Sequence, residues 1–206
     1  MIAKSHRWQK TALAVAANDP DIARWTAELP HPYTLADAEE FVAQAQADRI
    51  SGGDITLVIE RLADGTLIGS ISLARKDQEG RLGYWIAKPF WKLGYASQAV
   101  RRMTRLGFQS LGLTDMNAQV MTENKASGRV LGKAGYSASL LTACDLPGRC
   151  KDAEIHFYHL DLGTWQLLQA AKPMLLVVAA ALIDSDNRVL LSCRPKGKMM
   201  SGLWEF

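Results

Sequence analysis

The chain has 206 residues, 48% of them hydrophobic and 22% charged, with a net charge of +3. That is apolar material enough for one full domain and a piece of a second, and too small a charge excess to mark a nucleic-acid binder. The three cysteines, Cys144, Cys150 and Cys193, are odd in number and lack C-x-x-C spacing, which argues for a reducing compartment and against a disulfide framework or a zinc site. Met1 to Arg7 lacks the apolar stretch of a leader, and the longest apolar run, Met174 to Ile183, is too short to span a bilayer. The expectation is a cytoplasmic protein with no membrane partner.

In chain order, Met1 to Lys10 shows no strand alternation, and Thr11 to Ala17 is helical by its alanines. Asp19 before Pro20 predicts an N-cap and a first helical position, with Ile22, Trp25 and Leu29 as an apolar stripe. Thr34 with Asp37 predicts a capping box opening a helix to about Ala47, whose buried face is Leu35, Ala38, Phe41, Val42 and Ala45. Then comes a three-stranded meander: Ile55 to Arg61, a turn at Asp64-Gly65, Leu67 to Leu73, a turn over Asp77 to Gly80, and Arg81 to Ala87. A helix from Ser97 carries Ala96, Ala99, Val100, Met103 and Leu106 inward, with Arg101, Arg102 and Arg105 on a solvated face. Thr114 to Met121 must run parallel to Tyr84–Ala87, because a helix crosses over between them. Lys125 to Ala134 is a helix stopped by Gly135, with Gly128 and Gly132 inside it at a cost of roughly 1 kcal/mol each against alanine. Ser137 to Cys144 and Ala153 to Leu160 form a closing hairpin. His156 and His159 fall on opposite faces of their strand, so no metal is expected there.

The stretch from Leu82 to Gln98 joins a strand, a short loop with Gly94 at its turn, and a helix N-terminus. Amides without intrahelical partners and the helix dipole favour an anion at such a place. Trp91-Lys92-Leu93-Gly94-Tyr95-Ala96 resembles motif A of the GNAT acetyltransferases, Q/R-x-x-G-x-G/A, with Trp91 at the Q/R position as in the RimJ/RimL-type branch. Asn124 and Ser127, followed by Val130-Leu131-Gly132-Lys133-Ala134-Gly135-Tyr136, resemble the second half of the same signature, N-x-x-S-x-x-V-L-x-K-x-G-F/Y. The resemblance runs from about Ala12 to about Leu168.

The resemblance implies an α/β (α+β) fold: a mixed, mostly antiparallel sheet with splayed parallel central strands, flanked by helices, over residues 1–168. It also implies an N-acetyltransferase that takes acetyl-CoA as cosubstrate and no metal. The amine acceptor, a protein N-terminus or a small molecule, would attack directly in a ternary complex. On that reading the pantetheine arm lies beside Ile86 and Ala87, with an amide near Ala87 polarising the thioester carbonyl. Leu93, Gly94, Tyr95, Ala96 and Ser97 hold the pyrophosphate, and Asn124 bonds the arm. The tyrosine that many members place seven residues after the asparagine is replaced here by Leu131. RimJ/RimL-type members have a serine at the position of Ser127, and the resemblance implies that it faces the leaving thiolate, with Glu123 or water taking the amine's proton. Trp25 and Tyr33 line the acceptor groove. A different class of function, a non-catalytic acyl-CoA-binding module, would be supported by the missing first strand and the helix glycines, and Gly94, Asn124 and Ser127 argue against it.

From about Lys172 a second pattern begins. An apolar run, Met174 to Ile183, a turn at Asp184 to Arg188 and Val189 to Cys193 read as a β-hairpin stub. The string Arg194-Pro195-Lys196-Gly197 through Gly202-Leu203-Trp204-Glu205-Phe206 resembles the start of a MutT-like Nudix hydrolase, so residues 169–206 are expected to be an incomplete Nudix domain. The carboxylates that hold that family's divalent cations are not among these residues. Nucleotide hydrolysis is not expected of them, and the chain reads as part of a bifunctional fusion.

Overall fold

The structure is a computed structural model that describes residues 10–141 and 154–171, together with the backbone at 192–193 and 204–205. The expected strand-free start, the closing loop around Pro147 and the apolar run from Met174 lie outside the described residues. Two compact units divide the chain, Met1–Gln169 and Ala170–Phe206.

In the first unit, helices α1 (Lys10–Ala17), α2 (Pro20–Arg24) and α3 (Leu35–Ser51) precede the meander β1 (Ile55–Glu60), β2 (Leu67–Lys76) and β3 (Glu79–Ile86). Next come α4 (Tyr95–Ser110), β4 (Asp115–Met121), α5 (Lys125–Ala134), β5 (Ser137–Leu141), β6 (Ile155–Asp161) and α6 (Leu162–Ala170). The sheet order is β1-β2-β3-β4-β6-β5. Among the described strands of this sheet, only β3 and β4 run parallel. In the second unit, β7 (Ser192–Cys193) pairs antiparallel with β8 (Trp204–Glu205).

The expected caps are present. The Asp19 side chain accepts from Asp21 N–H ahead of Pro20, and Thr34 and Asp37 form the capping box. Helix α2 is shorter than its apolar stripe predicts, because the Thr26 hydroxyl donates to the Ile22 and Ala23 carbonyls at 3.2 and 3.3 Å and closes the helix after one turn. Leu29 therefore lies outside it. Helix α3 runs on to Ser51, since nothing breaks it before Gly52, which caps it at φ 73°. Its Leu35 is exposed; Ala38, Val42 and Ala45 carry the buried face. Strand β2 extends to Lys76 and β3 starts at Glu79, leaving a tight turn at Asp77–Gln78. Asp161 takes hydrogen bonds from Thr164 N–H and hydroxyl at 2.8 and 2.6 Å. This cap starts α6 directly after β6 and sets Trp165 against Phe108, ring centroids 5.3 Å apart.

The main core lies between the sheet and α4, α5 and α6, built on Ile71, Leu73, Leu82, Ile86, Val100, Met103, Met116, Leu131 and Leu160. A smaller cluster of Leu13, Ala17, Tyr33, Ala38 and Val42 joins α1 to α3. The two glycines inside α5 have different reasons. A Cβ at Gly128 would stand 2.5 Å from the Tyr158 hydroxyl, so the helix can press onto β6 only without one, whereas a Cβ at Gly132 would meet nothing within 4 Å. Gly132→Ala should raise stability by about 1 kcal/mol, a Tm gain of about 2–4 °C. Gly128→Ala should lower Tm, because overpacking costs about 1–3 kcal/mol and exceeds the propensity gain. Thermal melts of both variants check the pair.

Candidate functional site

Strands β3 and β4 pair only at Glu79–Asp115, Gly80–Met116 and Arg81–Asn117, and diverge beyond. The register against β2 fixes what faces the resulting gap. Ala87 N–H donates to Ile68 O at 2.8 Å, one step past the Gly69–Ile86 pair. In an antiparallel ladder alternate residues bond to the same neighbour. Residues 81, 83, 85 and 87 therefore bond to β2, and Tyr84 and Ile86 turn their backbone groups toward β4, out of reach. The Ile86 carbonyl accepts the Trp91 indole N–H at 2.5 Å. Trp91 thus ties the loop after β3 back to the strand end. The register narrows the expected amide donor near Ala87: the Ala87 amide is bonded to β2, and the one turned toward the gap is that of Ile86.

The loop from Trp91 to Gly94 delivers the chain to α4. Lys92 and Gly94 both adopt left-handed backbone, φ 64° and 85°. Gly94 is the N-cap and has no side chain to satisfy the first turn, so the amides of Leu93, Gly94, Tyr95, Ala96 and Ser97 have no acceptor among the described residues. A Cβ on Gly94 would meet nothing within 4 Å, so the space above the loop is open. Open space, bare amides and the positive end of a 16-residue helix suit a phosphate or pyrophosphate. The residues present therefore fit a coenzyme that carries a pyrophosphate at one end and an extended amide arm at the other.

At the far lip of the gap stands the first turn of α5. Asn124 is its N-cap, its side-chain oxygen accepting Ser127 N–H at 3.1 Å; of the side chain expected to meet the arm, the amide nitrogen is left for it. Asn124 also lines a cavity of about 350 Å³ with Val120, Thr122, Gly128, His156 and Tyr158. The Ser127 hydroxyl lies 2.7 Å from the Tyr84 hydroxyl. Burial pushes the Tyr84 hydroxyl up to about 12, against a lowering by Ser127. Sequence reading missed Tyr84 as a functional residue. The signal was present: Leu82, Tyr84 and Ile86 share one face, and a tyrosine on an apolar strand face needs a partner for its hydroxyl.

On the side of α2, two ion pairs bridge the helix to both lips of the gap. Asp21 pairs with Lys88, just past β3, and Arg24 pairs with Glu123, just past β4, at 3.2 Å. The hydrogen bond and charge of Lys88 hold the Asp21 carboxyl below the usual range. Glu123 is exposed and engaged with Arg24, whose guanidinium also stacks 4.6 Å over the Trp25 ring. Tyr33, expected in the groove, is buried in the α1–α3 cluster at 7% exposure, because its amide is fixed by Asn18 Oδ1 at 2.9 Å. His159 pairs with Asp115 at 2.9 Å, at the paired end of β4 and away from the gap. Among the described residues no cluster of three metal-ligating side chains occurs, and no helix is long and apolar enough to cross a membrane.

Comparison with known proteins agrees with this geometry. The sequence profile described as acetyltransferase (GNAT) domain matches residues 6–137, well over half of the chain. Over 81 residues the chain is 40% identical to the Bacillus subtilis protein named uncharacterized N-acetyltransferase YoaA, a stretch covering 38% of this chain and 46% of that one. The chain thus spans under half the length of that relative. The fold matches Mycobacterium smegmatis RimJ in complex with CoA-disulfide, with a TM-score of 0.67, 18% identity, and coverage of 80% of this chain and 86% of that one. It also matches spermidine N-acetyltransferase from Vibrio cholerae in complex with CoA and spermine, with a TM-score of 0.65, 16% identity, and coverage of 81% and 97%.

The pyrophosphate end can be tested without touching core or strained backbone. Leu93 is 61% exposed, and Leu93→Glu places a negative charge beside the bare amides. Coenzyme A binding, measured by calorimetry at low salt, should weaken at least about tenfold, while Tm stays within about 2 °C of the parent.

Proposed function

The chain belongs to the GNAT acetyltransferase family, and from that premise we propose that it transfers the acetyl group of acetyl-CoA to a primary amine, by direct attack in a ternary complex. The observation that carries this reading is the gap itself: Tyr84 backbone and the Ile86 N–H, which β4 does not reach, on one lip, Asn124 and Ser127 on the other. Acetyl-CoA supplies an activated thioester. The amides of Leu93 to Ser97 hold its pyrophosphate and Lys92 adds charge. The Tyr84 and Ile86 backbone and the Asn124 amide nitrogen orient the arm. The Ile86 N–H is placed to polarise the thioester carbonyl. The Ser127 hydroxyl donates a hydrogen bond to the departing sulfur. As the amine forms its C–N bond and the C–S bond breaks, the amine's surplus proton leaves to solvent.

The acceptor enters beside α2, past Trp25. Glu123 is assigned to holding α2 through Arg24 and to attracting a cationic amine, with water as the proton acceptor. Both a protein N-terminus and a polyamine fit that description. Residues 169–206 are proposed to open a second, Nudix-type domain; the support is the string from Arg194 to Phe206 and the backbone pairing of β7 with β8.

Acetyl-CoA offered with free-N-terminal peptides and polyamines should give amine-dependent release of free thiol. Ser127→Ala should lower kcat about ten- to a hundredfold, since a hydrogen bond to a charged group is worth about 1.5–3 kcal/mol. Tight acetyl-CoA binding with no thiol release for any acceptor would instead identify a binding module.

A further inference from the structure

The Tyr84–Ser127 contact joins residues 43 positions apart in the chain, at 2.7 Å, across the opening between β3 and α5. A tyrosine hydroxyl has one proton to give. Two acceptors lie near it: Ser127 Oγ at 2.7 Å and the Ser127 carbonyl at 3.4 Å. Either hydroxyl can donate across the 2.7 Å contact; with Tyr84 as donor, its proton goes to Oγ rather than to the carbonyl at 3.4 Å, which is at the weak end of the range. Ser127 Oγ then accepts from Tyr84 and keeps its own proton. With Tyr84 as donor, that proton has no acceptor among the described residues: no hydrogen bond runs from Ser127 Oγ to a carbonyl of the preceding turn. The Ser127 amide is meanwhile fixed by Asn124. One hydroxyl held through its lone pair, with its hydrogen unclaimed at the lip of the gap, is a donor waiting for a ligand.

Resting on the assignment of Ser127 to the leaving sulfur, we propose that Tyr84 is a positioning residue: its hydroxyl donates to Ser127 Oγ and aims the serine's own proton into the gap. Tyr84 does not act as an acid. Its hydroxyl is pushed up to about 12 by burial, whereas an ordinary thiol titrates near about 8.5, so the departing sulfur is too weak a base to take the tyrosine's proton. Nothing is transferred between the two hydroxyls; the tyrosine fixes a direction. The same contact explains how a serine serves where Leu131 stands in place of a tyrosine later in α5. Serine is short, and its rotamer is otherwise free, so a second residue must hold it.

A double-mutant cycle tests this. Tyr84→Phe keeps the ring and removes the donor. Its kcat should fall about tenfold with KM for acetyl-CoA within twofold of the parent and Tm nearly unchanged. In the Ser127→Ala background the same change should have no further effect, because the group it acts through is gone. A second arm guards against a folding defect: a fluorinated tyrosine at position 84 acidifies the hydroxyl without changing the packing. Its kcat should then fall on the alkaline side as the phenol loses the proton it donates, and that break should be missing when Ser127 is alanine. A kcat loss for Tyr84→Phe that multiplies with that of Ser127→Ala, or no loss while Ser127→Ala is impaired, overturns the role of Tyr84 and leaves that of Ser127 standing. Full activity in Ser127→Ala overturns both.

Discussion

Everything in this fold that bears on function follows from one constraint: β3 and β4 are held together for three residue pairs and then part. Buried backbone groups are obligatory hydrogen-bonders, and interiors rarely leave them without partners. A sheet that opens in its middle leaves Tyr84 and Ile86 with groups that neither neighbouring strand can meet. An extended ligand with alternating amide groups meets them as a strand would. The surrounding elements keep the opening from closing. Trp91 takes the Ile86 carbonyl, Tyr84 packs against the main core and ties itself to α5, and the ion pairs of α2 rest on both lips.

The two ends of the site differ in how they are made. The anion end is backbone: a left-handed Gly94, a left-handed Lys92 and the first turn of α4. It depends on chain conformation more than on side chains, so any substitution at Gly94 confounds backbone strain with ligand contact. The proposed transfer end is side chain: Asn124 caps α5 and thereby sets where Ser127 sits, and Tyr84 is proposed to set where its hydroxyl faces. The exposed pairs around α2 contribute little stability, since such pairs are worth about 0–1 kcal/mol. Their effect is on position, holding one turn of helix over the mouth of the gap.

Local rules made much of this legible in the sequence. Asp19, Thr34 and Gly135 mark helix ends by chemistry that reaches no further than three or four residues, and each sits where its type predicts. Gly94, Asn124 and Ser127 were readable because a motif fixes their spacing. The rest depended on register and distance in space. That Ile86 rather than Ala87 offers its amide follows from one bond to Ile68, and no pattern in the strand reveals the parity. Tyr33 reads as a groove residue until Asn18 is seen to pin it against α3. The partner of Ser127 lies 43 residues away, and the Gly128 requirement comes from Tyr158, on the second strand of the closing hairpin.

The central claim is that unpaired backbone in the gap and at α4 is what receives the coenzyme. Residue-resolved amide hydrogen exchange, with and without coenzyme A, tests it most directly. Without ligand, the amides of Ile86 and of Leu93 to Ser97 should exchange fast and that of Ala87 slowly. With coenzyme A, the first group should slow markedly while Ala87 does not change. An Ile86 amide already protected in the free protein, or one that coenzyme A leaves unprotected, would contradict the account.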